Sequence, residues 1–183
     1  RTVSRSPDLV PRVRDLLGDL YVGLFDGAVR ESPLPAVMAG VQTVKAAAPD
    51  LIVAIGGGSA IVTARAITII IGEGKTVDEM YTRHRPGRPP AVYRASAPKI
   101  PNIVVPTTPT TGADRGGAAV YDEDPPQRKE LYDPKTRPLA IIADPEALLT
   151  APLSLYLDTS LTTLCSLVDD LQYTGQPALA FAD

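Results

Sequence analysis

Cysteine and histidine are almost missing from this sequence, which holds one of each, Cys165 and His84. A lone cysteine has no internal partner, so no disulfide framework holds the fold. With scattered carboxylates the pair shows no recognisable metal-ligand spacing. Cys165 also lacks a base to make it a nucleophile, so a small buried apolar role is expected for it; the loop residue His84 is expected on the surface. Charge of one sign is missing too. Eighteen Lys and Arg stand against 21 Asp and Glu, a net charge of −3 with no long like-charged run, so the electrostatic footprint of nucleic-acid binding is absent. No apolar stretch reaches the roughly 18 residues of a membrane span, and no N-terminal segment reads as a signal peptide. The short run ITIIIG, 67–72, continues a helical pattern and is expected to be a buried helix end. No fixed-period repeat is present, which excludes a solenoid. These absences leave a soluble, cytoplasmic protein with neither a membrane nor a nucleic-acid partner as the expectation.

What is present suits one α/β domain, since 183 residues at 44% hydrophobic content can build a single packed core. Residues 7–17 place Leu9, Val10, Val13, Leu16 and Leu17 on one stripe before Gly18, the pattern of a helix with its stop. YVGLF, 21–25, is short and β-rich and is closed by Asp26-Gly27, so it reads as a strand. Residues 33–48 carry Val37, Val41 and Val44 at helical spacing. LIVAI, 51–55, is continuously apolar and β-branched, as a parallel strand buried on both faces is. Alternating helices and strands predict a parallel sheet between helices.

Three consecutive glycines, Gly56, Gly57 and Gly58, end that strand, and Ser59 to Ile71 resumes at helical period. At such a corner the first helical N–H groups lack backbone partners and the macrodipole is positive, so a phosphate binds there if no Cβ keeps it away. A plain tight turn is the competing reading. The pattern G-x-G-x-x-G is not met, because position 61 is Ile, and Gly74-Lys75-Thr76 ends a helix, unlike a P-loop. A second strand, NIVVP at 102–106, runs into the hydroxyl-rich loop TTPTTGAD, which offers threonine and backbone donors to a phosphate or an amide; a solvated turn is its plain alternative. The proline-rich stretch 83–99 carries five Lys and Arg residues and little secondary-structure signal. It reads as an exposed connection, or as a cationic loop meeting a 2′-phosphate or an anionic substrate.

GGGSAIVTARAI, KIPNIVVPTTPTTGAD and RKELYDPKTRPLAIIADPEALLTAP follow one another in an order and spacing that resembles the iron-containing alcohol dehydrogenases and the wider dehydroquinate synthase-like superfamily. The resemblance implies a Rossmann-like α/β fold, a parallel sheet flanked by helices, with a β-hairpin element and the start of a helical C-terminal domain. The expected division is a dinucleotide-binding domain over 1–152 and the beginning of a truncated helical domain over 153–183, the opening strand being absent. It further implies NAD or NADP as cofactor, with Gly56, Gly57, Gly58 and Ser59 at the pyrophosphate. Thr107, Thr108 and Thr111 are expected on the nicotinamide side, with Asp114 in place of the usual Glu and Lys129 as the catalytic lysine near the reacting carbon. The substrate expected is a small alcohol or aldehyde, and the partner a second copy or another chain.

The family's metal is a different matter. Its members bind it with one aspartate and three histidines, and without gaps the first ligand positions fall on Thr162 and Ser166, with Asp169 at the following glutamate. The other two histidines belong to a helical domain beyond this sequence, so the divalent iron or zinc is expected to be absent. The signature aspartate and lysine are also replaced, by Val62 and Arg65. A divergent, metal-independent oxidoreductase is therefore the first expectation, and a nucleotide-binding pseudoenzyme or subunit the second.

Overall fold

The computed structural model describes Val3 and residues 8–172. Helix α1, Leu9–Leu17, ends at Gly18, whose φ of 51° and amide bond to the Arg14 carbonyl close the last turn. Helix α2, Leu34–Ala47, starts on Pro33 and Pro35, whose fixed φ suits a first helical turn. Strand β1, Ile52–Gly56, leads into α3, Gly58–Glu73, which stops at Gly74 in the left-handed conformation. The short α4, Val77–Met80, follows at once because Thr76 and Glu79 form a reciprocal capping box.

Strand β4, Asn102–Pro106, pairs in parallel with β1, Ile52 opposite Asn102 and Gly56 opposite Pro106. Strand β7, Ala140–Ile141, adds to the other edge of β4 and completes a three-stranded parallel sheet in the order β1-β4-β7. Two antiparallel hairpins stand apart: β2, Arg83–Arg85, with β3, Arg88–Ala91, and β5, Ala118–Glu123, with β6, Pro126–Leu131. Helix α5, Pro145–Leu148, is capped by the Asp144 carboxylate, and α6, Leu153–Gln172, closes the described chain.

Helix α3 is apolar nearly all round because it is covered on two sides. Ile61 and Ala64 pack on Ala54 and Val104 of the sheet, while Ile67, Ile69 and Ile70 join Val37, Val41, Val120 and Leu131 from α2 and the β5–β6 hairpin. Gly40 of α2 faces Ile67 and Phe25 with no space for a Cβ, so the two helices approach closely.

Three expectations need correction. YVGLF is no strand: its amides find no sheet partner among the described residues, and Val22 and Leu24 are more than half exposed. The proline-rich connection holds the β2–β3 hairpin, turning at Gly87 with φ 70°; an exposed two-stranded ribbon tolerates Pro89 and Pro90, since outward-facing positions need no N–H. Cys165 is exposed and not buried, because α6 turns its Ser and Thr row inward and leaves Leu157, Leu161, Leu164 and Leu171 largely in solvent.

Candidate functional site

Because β1 and β4 are parallel neighbours in register, their C-terminal ends lie side by side, and the glycine corner and the threonine loop become two walls of one site. The Thr107 amide donates to the Gly56 carbonyl at 3.0 Å and fixes the junction. Gly56 has φ 152°, and a Cβ there would come within 2.7 Å of Ala60 Cβ, so this position requires glycine. Gly57 is the N-cap of α3 in extended conformation, and no side chain caps the helix. An added Cβ on Gly57 would stand 3.2 Å from Thr108 Oγ1, and one on Gly58 would stand 3.3 Å from Thr110 Oγ1.

Thr107 and Thr108 are 4% and 2% exposed, so half of the threonine run is buried, which disfavours the alternative of a plain solvated turn. The Thr108 hydroxyl is buried with no hydrogen-bond partner among the described residues. A hydroxyl in that state costs stability unless a ligand completes it. It lies against the open start of α3, where free N–H groups and the dipole favour an anion.

Ser59 is held from the other side. Its Oγ accepts from the Glu31 amide at 3.2 Å, its carbonyl accepts from Ser32 Oγ at 3.1 Å, and Thr63 Oγ1 donates to Ser32 Oγ at 3.0 Å. The Ser59 hydroxyl proton stays available. Gly56, Gly57, Gly58, Ser59, Thr107, Thr108 and Thr111 all border a cavity of about 830 Å³, which Thr159, Thr162 and Thr163 of α6 close from the far side. That volume lies within the range of ligand clefts.

Arg65 reaches the same loop from inside α3. Although 1% exposed, it donates from Nη1 to the Gly112 carbonyl and from Nη2 to the Ala113 carbonyl, both at 2.5 Å. Burial pushes its guanidinium below the ordinary value, and the Asp114 carboxylate opposes that shift. Asp114 is exposed and does not border the cavity. The loop of residues 29–32 and the Arg65 fork escaped the sequence reading; a lone arginine inside an apolar helix was the available signal for the second.

Lys129 lies outside the cavity lining. It is 3% exposed on β6, and its Nζ donates to Asp122 at 2.5 Å and Asp78 at 2.6 Å, with the Tyr81 ring centroid 5.6 Å away. Hydrogen bonds to Asp122 and then Asp78 raise its pKa, so it stays an ammonium. The basic hairpin β2–β3 is exposed and likewise does not border the cavity. His84 sits in solvent 3.2 Å from Glu130.

At the positions where the resemblance places the family's first metal ligands, the two hydroxyls present are turned to their own helix. Thr162 Oγ1 donates to the Asp158 carbonyl at 2.8 Å and Ser166 Oγ to the Thr162 carbonyl at 3.0 Å, both within their own helix. Among the described residues, no three His, Cys, Asp or Glu side chains gather into a metal-binding group. No helix of the described residues is long and apolar enough to cross a membrane.

A parallel sheet whose glycine corner, uncapped helix start and threonine loop meet at one edge defines an α/β protein. The sequence profile of the iron-containing alcohol dehydrogenases matches residues 1–145, and the chain belongs to that family. It is similar to NAD-dependent methanol dehydrogenase of Bacillus methanolicus, 26% identical over 165 residues, 90% of this chain and 40% of that protein. Alcohol dehydrogenase 4 of Schizosaccharomyces pombe is 28% identical over 164 residues, 88% of this chain and 37% of that one. The chain thus spans about two-fifths of the length of these curated relatives. Among solved structures, the iron-containing alcohol dehydrogenase of Thermococcus thioreducens superposes with a TM-score of 0.70 at 23% identity, over 83% of this chain and 40% of that chain. Sulfoacetaldehyde reductase of Bifidobacterium kashiwanohense in complex with NAD+ gives 0.69 at 19%, over 83% and 39% of the two chains.

Proposed function

We propose that the chain binds NAD or NADP at the glycine corner and acts as an alcohol or aldehyde oxidoreductase without the family's metal. One observation carries the reading: the buried, partnerless Thr108 hydroxyl faces Gly57 at the uncapped start of α3. The site fits a dinucleotide, since Gly57 and Gly58 leave space that side chains would occupy and Thr108 lacks the partner a phosphate oxygen supplies. When bound, the nicotinamide supplies the hydride acceptor or donor. In this reading Gly56, Gly57, Gly58 and Ser59 hold the pyrophosphate, and the loop of Thr107, Thr108, Thr111 and Asp114 lies toward the nicotinamide side, with the Thr108 hydroxyl reaching back to a phosphate oxygen. The NAD named with a relative and with a solved neighbour supports that cofactor. The proposed division places 1–152 in the dinucleotide domain and 153–183 at the start of a helical one, residues 173–183 lying outside the described structure.

Lys129 is the proposed group beside the reacting carbon, and reaching it requires release from Asp122 and Asp78. The test is oxidation of NADH or NADPH with small aldehydes, followed by nicotinamide absorbance, for wild type and Lys129→Met. The catalytic role expects Lys129→Met to bind the nucleotide as wild type does and to lose turnover about a hundredfold or more. A variant that only melts earlier, with turnover per folded molecule unchanged, removes Lys129 from the chemistry. Adding Fe²⁺ or Zn²⁺ is expected to alter neither turnover nor melting temperature. A clear rise in either contradicts the metal-free reading.

A second reading is a nucleotide-binding pseudoenzyme or subunit. Thr162 and Ser166 at the metal positions, and Lys129 held by carboxylates, favour it. The exposed leucines of α6 suit a second copy or another chain covering that face. Nucleotide binding with no turnover on any aldehyde selects this reading.

A further inference from the structure

We infer that Arg65 is a positioning residue for the nucleotide: its fork prearranges the threonine loop against the glycine corner and thereby sets dinucleotide affinity. The inference rests on the dinucleotide reading above. Residue 65 lies on the same helix as Gly58 and Ser59, among the buried side chains of Ala64, Ala66, Ile67 and Ile69. A cation in such surroundings is costly unless its N–H groups are satisfied. Here both Nη atoms are spent on consecutive carbonyls, Gly112 and Ala113, so one side chain fixes the orientation of two successive peptide planes in a loop that has no regular secondary structure between β4 and β5.

That loop carries Thr107, Thr108 and Thr111, which border the cavity, while the helix carries the other wall. Arg65 therefore ties the two walls together. A loop with glycines at 112, 116 and 117 would otherwise be ordered only on binding, and the ordering entropy would be subtracted from affinity. Nε stays buried without a partner, a stability cost that an apolar residue would remove. The arrangement is explained by the loop geometry it imposes and not by packing. Lysine cannot replace it, because a single ammonium does not span two carbonyls in one plane as a guanidinium fork does.

The experiment uses the full chain with Arg65→Lys and Arg65→Met. Amide hydrogen exchange is read over Gly112, Ala113 and Asp114 without nucleotide, and NADH is titrated by calorimetry. Faster exchange across those amides and an NADH Kd raised about tenfold or more in both variants are expected, since Arg65→Met loses both charge-assisted hydrogen bonds and Arg65→Lys loses the fork that holds two carbonyls at once. Arg65→Met places a neutral chain among the same apolar neighbours and carries the test if Arg65→Lys does not fold. Folded variants that bind NADH as wild type does overturn the inference. So does a wild-type loop whose 112–114 amides exchange as fast as an open loop. A wild type that binds neither NADH nor, in a parallel titration, NADPH overturns the dinucleotide reading itself, a different pattern from equal binding by wild type and variant.

Discussion

Gly57→Val is expected to abolish measurable nucleotide binding and leave the fold intact. Gly57 has φ −76° and ψ −177°, extended backbone that valine adopts without strain. Its Cβ would stand 3.2 Å from Thr108 Oγ1, a contact relieved by a shift of a few tenths of an ångström. The γ-methyls are then obliged to occupy the space in front of the first α3 amides and the Thr108 hydroxyl, where the pyrophosphate is proposed to sit. Losing two hydrogen bonds to a charged group raises Kd roughly a hundredfold or more. The melting temperature should fall by only a few degrees. Calorimetric titration with NADH and NADPH, beside a thermal melt, checks both parts. Unchanged affinity in a folded variant refutes the cradle.

The largest effect on stability is expected from Lys99→Met. Lys99 Nζ, 1% exposed, lies 2.6 Å from Glu73 Oε1 and 3.0 Å from Asp133 Oδ2, whose side chains are 3% and 0% exposed. Glu73 also accepts from Tyr93 Oη and the Ala97 amide, each at 2.9 Å, so the cluster ties residues 93–99 to the end of α3. Removing the ammonium leaves the buried Glu73 carboxylate without a cation and Asp133 with only the Lys135 ammonium at 4.0 Å, which costs about 3–5 kcal/mol and lowers the melting temperature by roughly 10 °C. Thermal melts measure it directly. A drop of a degree or two would show that the carboxylates rehydrate and that the cluster contributes little.

This cluster also carries a pH signature. The hydrogen bond from Lys99 is the largest cause pulling the Glu73 carboxyl down from 4.5 to about 2, with burial opposing it and Tyr93 and Ala97 assisting. A carboxyl depressed in the folded state stabilises above its unfolded pKa, and that contribution is lost as pH falls from about 4.5 through about 2. Lys99→Met removes the largest cause of that depression, so the variant has less of this contribution to lose. The stability gap between wild type and variant should therefore narrow on acidification.

Strong local signals made much of the fold legible in the sequence. The apolar run ended by three glycines gives β1 and the start of α3, and NIVVP coincides with β4 from Asn102 to Pro106. Their parallel pairing follows from the helix between them and brings both proposed ligand loops to one edge. Features that depend on tertiary partners were not legible. YVGLF has strand chemistry but no pairing neighbour among the described residues, and Gly23 rests against Ala47 instead. Thr107 and Thr108 are buried because the glycines opposite leave space for their methyls and hydroxyls, which composition does not reveal. The two carboxylates around Lys129 come from positions 78 and 122, far from it or on the partner strand. Helix α6 reverses the usual polarity, facing Thr159 and Thr163 toward the cavity and Leu157, Leu161, Leu164 and Leu171 outward.

The central claim is that the glycine corner and the threonine loop form a dinucleotide cradle. Its most direct test is calorimetric titration of NADH and of NADPH into the purified protein after metal removal by a chelator. Micromolar affinity for at least one nucleotide is the expected result. Failure of both to bind contradicts the claim and leaves the three glycines as a tight turn.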